Sequence, residues 1–171
     1  RGGLIAGWRN GDQQTGRDGQ EPVDGLNGDD QQEADADRGG HLALATAINF
    51  ADRKYEKIDA VDEVSCRPDF AVLCYAGYLK AKDKDEIPLG MRIPADTPPI
   101  LLAHASDDTS KIGGSEPDNS AVMYLALKRA GVPVELHIFA NGNHDFGVRP
   151  DAKLAASWMQ LCVKWLRSFD L

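Results

Sequence analysis

Residues 38–171 predict an α/β fold of parallel strands with flanking helices, and three observations carry that reading. Two apolar runs, Pro68 to Tyr78 and Pro98 to Ala105, have the length and flanking prolines of buried parallel strands. A third segment begins at Val134 and alternates, with Val134, Leu136 and Ile138 on one face. A helical run, Ser120 to Ala130, stands between the second and third segments. Strand, helix, strand in that order is a βαβ unit with a parallel strand pair.

Each element has its own signature. Gly39 to Ile48 is small, apolar and helix-forming after its leading glycines, and reads as a buried helix reaching towards Asn49 or Phe50. Ala51 to Val64 is polar and loop-like, with Asp59 and Asp62 expected at the surface. Leu79 to Thr97 is charged and proline-punctuated, a long surface excursion of the kind that covers a site. The helix after it can be capped by Asp118 or Asn119 and is closed by Gly131 and Pro133. From about Ala152 to Phe169, Ala155, Trp158, Met159, Cys162, Trp165, Leu166 and Phe169 recur at three- and four-residue steps, the stripe of an amphipathic helix packed on a core.

Residues 1–37 are different. They hold nine acidic residues against three arginines, so most of the chain's net charge of −8 lies there. They are rich in Gly, Asp and Gln and lack Phe, Tyr, Met and Cys. Such a low-complexity stretch has little to bury and is expected to be a disordered acidic arm; Leu4-Ile5-Ala6 is too short to alter that expectation. The overall negative charge excludes a nucleic-acid partner, whose phosphates demand clustered Lys and Arg. No apolar run approaches a membrane span and no secretory signal pattern is visible, while a start at Arg1 leaves the compartment open. Cys66, Cys74 and Cys162 lack metal-ligand spacing, and Cys74 and Cys162 read as small core hydrophobes. No motif asks for a metal or a cofactor.

The chemistry concentrates at two strand ends. After Ile138-Phe139, Ala140-Asn141-Gly142-Asn143 supplies turn-forming residues that deliver His144 into a loop. His41 and His137 lie in regular segments and His104 inside a strand, where a hydrogen-bonded core role is the expectation. Asp108 follows the preceding strand, so Asp108 and His144 fall at the carboxyl ends of two successive strands, where ligands bind in open parallel sheets. A carboxylate there can fix the tautomer of an imidazole and stabilise its protonated form.

Gly39-Gly40-His41-Leu42-Ala43, Pro68 to Leu73, Pro98 to His104, Val132 to Phe139 and Gly142 to Gly147 together resemble the carboxyl-terminal half of an α/β-hydrolase. The similar group is that of carboxylesterases and acetyl-xylan-esterase-like enzymes, of the esterase/lipase and dienelactone-hydrolase kind. The resemblance implies a domain over 38–171 that hydrolyses small carboxylic esters through a Ser-His-Asp triad. By it Asp108 is the acid, with Asp107 as competitor, and His144 is the base. The nucleophile belongs in Gly-x-Ser-x-Gly just before Gly40-His41. Counting back from Gly39, Asp37 occupies the serine position and Asp35 that of the first glycine.

The triad is therefore incomplete and the hydrolase truncated. A carboxylate nucleophile at Asp37 would still need the strand and elbow that present it, and Gly28 to Ala34 cannot form a buried strand. The expectation is a chain inactive as it stands, with a non-catalytic remnant or a binding and interaction module as the alternative. In the family's strand order Phe70–Gly77 would pair with the missing elbow strand. Its loss leaves self-association through an exposed edge strand open.

Overall fold

The computed structural model describes residues 39–109, 114–149, 151 and 153–170, together with the backbone of 3–6. Four strands form one wholly parallel sheet in sequence order: β1 Gly3–Ala6, β2 Phe70–Cys74, β3 Ile100–Ala105 and β4 Val134–Phe139. Helix α1 covers 39–48, α2 is Asp118–Arg129 and α3 is Trp158–Arg167.

Strand periodicity sorts the core into two layers. Ala71, Leu73, Ile100 and Leu102 face α1 and α2, joining Ala43, Leu44, Ala47, Met123 and Leu127. Val72, Cys74, Leu101, Ala103 and Ala105 point the other way, towards Trp158, Cys162 and Trp165 of α3. Because β2 and β3 are covered on both faces, their side chains read as continuous apolar runs. Strand β4 is an edge, and its side chains are half-buried with Ile138 exposed. The alternation expected there holds for Val134 and Leu136, which pack on the α2 layer.

Two glycines fix where elements meet. A Cβ at Gly40 would lie 2.4 Å from the Cβ of Ala76, so α1 can approach the end of β2 only without a side chain there. Gly131, at φ +78°, ends α2 in a left-handed turn: its N–H bonds to Lys128 O, and that of Val132 to Leu127 O.

Several expectations need correction. The arm expected over 1–37 lies outside the described residues except at Gly3–Ala6, whose backbone forms a strand where none was expected. Its cause is the edge of β2, whose unpaired peptide groups need partners; Gly3–Ala6 pairs with Phe70–Leu73. Strand β2 is therefore not the exposed edge anticipated. Neither Asp118 nor Asn119 caps α2. Pro117 holds the N-cap position, and Asn119 Oδ1 instead accepts the N–H groups of Leu79 and Lys80 at 2.8 and 2.9 Å.

Asp62 is not idle surface. Its carboxylate accepts from the N–H of Ile58, from Tyr55 and from Arg53, bonds that in that order of weight hold its pKa down at about 2. The excursion 79–97 lays Ile87, Met91 and Ile93 on the α1 layer. There it encloses a cavity of about 310 Å³ with His41, Leu44, Ile48 and Arg92, which takes in neither Asp108 nor His144. The last helix begins with a 3-10 turn, Lys153–Ser157, and turns Met159 and Phe169 outward while Ala155, Trp158, Cys162 and Trp165 are buried.

Candidate active site

The carboxyl ends of β2, β3 and β4 converge on one constellation. Strand β3 ends at Ala105, where Ser106 N–H still pairs with Phe139 O. The chain then reverses through a turn closed by the bond from Asp108 N–H to Ala105 O. That turn sends the two neighbouring aspartates to different tasks. Asp107 Oδ1 accepts the N–H groups of Gly142 and Asn143, both at 2.8 Å, and so clamps the loop after β4. Asp108 turns inward, and its Oδ2 lies 2.8 Å from His144 Nδ1.

The loop that carries His144 is pinned at several points. Asn143 and Asp145 adopt positive φ, +57° and +53°, a conformation these residues tolerate better than most. Gly142 passes so close to its neighbours that a Cβ would stand 2.5 Å from Ala155 Cβ and 3.1 Å from Ala105 Cβ. Phe146 is fully buried against Tyr75 and Phe139, and Trp158 Nε1–H donates to Gly147 O at 2.5 Å. Arg149 bonds back to the carbonyl of Asp145.

Burial raises the pKa of Asp108, but hydrogen bonds from His104 and His144, with the charges of those histidines, outweigh it and hold it at about 2. At neutral pH Asp108 is a carboxylate that can only accept, so the nitrogen of His144 facing it, Nδ1, carries the proton. Nε2 is then the nitrogen able to take a proton from a reacting group. The side chain of His144 is only 7% exposed.

The sequence reading brought Asp108 and His144 to the same end of the sheet, and the structure joins them, while Asp107 accepts the N–H groups of Gly142 and Asn143. Asp37, the nucleophile position, lies outside the described residues. Tyr75 is a neighbour that the sequence reading placed only in a strand. It follows β2 at φ +39°, held by a bond from its N–H to Ala103 O, and its ring meets that of His144 edge-on at 5.1 Å. Its hydroxyl reaches Asp145 Oδ1 at 3.3 Å, and burial pushes its pKa up. The signal available was position: Tyr75 follows the carboxyl end of a buried strand, as Asp108 and His144 do. Nor did the sequence show that His104, expected in the core, would contact the same carboxylate oxygen, at 3.0 Å from Nε2.

Among the described residues no group of His, Cys, Asp and Glu is arranged to hold a metal ion, and no helix is long and apolar enough to cross a membrane. His137 pairs with Glu135 at 2.7 Å on the edge strand, away from Asp108. Cys74 and Cys162 are buried, and burial raises both thiol pKa values.

No protein-family profile and no curated protein matches this chain. Solved structures do. An acetyl ester-xyloside bifunctional hydrolase from Caldicellulosiruptor lactoaceticus is 35% identical, with a TM-score of 0.64, over 77% of this chain and 54% of its own. An α/β hydrolase from a Medee basin deep-sea metagenome library is 23% identical, TM-score 0.53, over 78% of this chain and 52% of its own. A carboxylesterase from Lactobacillus plantarum is 18% identical, TM-score 0.52, over 77% and 56%. The two less similar proteins speak for the fold alone. The chain spans little more than half the length of each.

Proposed function

We propose, for a chain that belongs to the α/β-hydrolase superfamily and carries part of its fold, that residues 38–171 are the carboxyl-terminal half of a serine ester hydrolase and supply its acid–base arm. Asp108 is the acid and His144 the base. The observation that carries this reading is the buried contact of 2.8 Å between Asp108 Oδ2 and His144 Nδ1 at the carboxyl end of the sheet. In the reaction, His144 Nε2 takes the proton of a serine hydroxyl as it attacks the ester carbonyl, then returns it to the departing alcohol. Asp108 keeps the imidazole in the Nδ1–H tautomer and stabilises the imidazolium. Small carboxylic esters are the substrate class, in keeping with the acetyl ester hydrolase that is 35% identical.

No Gly-x-Ser-x-Gly precedes Gly40 in this sequence, where Asp37 stands at the nucleophile position, although β1 pairs with β2 where the elbow strand of the family would. The chain as given is therefore inactive towards esters. A remnant with no catalytic role is the second reading, and the missing Gly-x-Ser-x-Gly elbow is the observation in its favour. A chimera separates the two. The amino-terminal half of a similar esterase, ending in its own Gly-x-Ser-x-Gly, is joined to Gly40 and assayed with an aryl acetate. Hydrolysis that falls at least a thousandfold in His144→Ala is the expected result. A folded chimera whose activity survives that substitution overturns the assignment.

A further inference from the structure

We propose that His104 is a positioning residue for His144, acting through Asp108, and that Ser120 anchors the ring of His104. The inference rests on the acid–base assignment of Asp108 and His144 and extends it inward. One oxygen, Asp108 Oδ2, receives His144 Nδ1 at 2.8 Å and His104 Nε2 at 3.0 Å. The other nitrogen of His104, Nδ1, lies 2.8 Å from Ser120 Oγ. The side chains of His104 and Asp108 have no exposure, and Ser120 is fully buried, so the row is shielded from water.

Chemistry limits how protons are shared along this row. A carboxylate accepts only, so both nitrogens that face Oδ2 carry hydrogen. Were His104 also protonated at Nδ1, its charge would cancel that of Asp108, and no anion would remain to stabilise a proton gained by His144. With His104 in its neutral form, Nδ1 bears a lone pair and the Ser120 hydroxyl donates to it. The row then holds one negative charge, on Asp108.

The arrangement also explains how a residue in a turn is aimed accurately. Asp108 lies past the end of β3, where backbone alone leaves its side chain several rotamers. His104 is rooted in β3 and Ser120 in α2, so their packing sets where Oδ2 stands and hence where the ring of His144 points. His104 touches no substrate.

Nitrogen-15 NMR of histidine-labelled protein, using the 171-residue chain, tests this directly. In the unaltered chain, His144 should show an exchange-protected Nδ1–H far downfield, and His104 a protonated Nε2 with a bare Nδ1. His104→Leu removes the donor and should abolish the protected His144 signal. His104→Gln places an amide donor near the former Nε2 and should restore it. Both variants lower the melting temperature, so melting alone does not discriminate and the proton signal does. A His144 signal unchanged in His104→Leu, or lost equally in His104→Gln, overturns the proposal. If His104→Leu does not fold, Ser120→Ala serves: with the anchor of its ring gone, His104 should hold Asp108 less firmly and the protected His144 proton should exchange faster, and an unchanged exchange rate overturns the role of Ser120. Absence of the protected His144 proton in the unaltered chain would instead sink the Asp108–His144 pairing itself, a result distinguishable from failure at His104.

Discussion

Asp107 and Asp108 are adjacent in sequence, yet one bonds only to loop backbone among the contacts described above and the other to two imidazoles. The consequence for pH is carried by Asp108. Its pKa is depressed from 3.8 to about 2, so its contribution to stability is complete above pH 4 and lost as pH falls through about 2. The shift is worth about 2 kcal/mol. Acid titration followed by circular dichroism should show that loss in the unaltered chain and not in Asp108→Asn, which should be less stable at neutral pH by about 3 kcal/mol because two buried donors lose their anion. For Asp107→Ala the expected cost is smaller, about 1–3 kcal/mol, with faster amide exchange at Gly142 and Asn143 as its mark. The sequence reading could prefer Asp108 only through a family pattern. It could not place His104 on the same oxygen, because residues four apart along a strand stand roughly 13 Å apart. Only the reversal after Ala105 folds Asp108 back onto His104, and nothing in Ser106-Asp107 announces its direction.

The elements were legible where hydrophobic periodicity runs long enough to be read. The βαβ unit, the glycine stop of α2 and the inward stripe of α3 follow from spacing. What the pattern missed is non-local. Asn119 has the chemistry of an N-cap, but the free N–H groups of Leu79 and Lys80 claim its oxygen from another segment. The strand at Gly3–Ala6 is four residues long, too short for any period to show, and its partner is far along the chain. Close packing between elements gives a sharper prediction. Gly142→Ala pushes a methyl against Ala155 and Ala105, joining the loop of His144 to both β3 and the turn before α3. It should destabilise the fold by about 1–3 kcal/mol in thermal melts, with the loop's resonances shifting most. Ala155→Gly added to Gly142→Ala should recover part of that loss, since it removes the nearer atom.

Taken as a whole, the described residues form a four-stranded parallel sheet with Asp108 and His144 in contact at its rim. With Asp37 where a serine is needed, turnover of an aryl acetate should not exceed background, and a fluorophosphonate should label no residue. Asp37→Ser should change neither, because Asp37 does not directly follow a sheet strand, so no tight turn aims a serine there to within a fraction of an ångström. Deleting residues 1–6 should uncover the β2 edge and shift elution on a sizing column towards dimer; an unchanged monomer would mean that β1 guards nothing. That same short strand also bears on how the molecule assembles. Strands β2, β3 and β4 are joined in succession by the segments between them, whereas β1 reaches β2 only by closing the loop from Ala6 to Phe70. Loop-closure entropy must be met before four residues of pairing can repay it. In refolding, β1 therefore arrives last, after a three-stranded nucleus has formed, and in unfolding it leaves first. Pulsed amide labelling should find Gly3–Ala6 still open when the β3 amides are already protected.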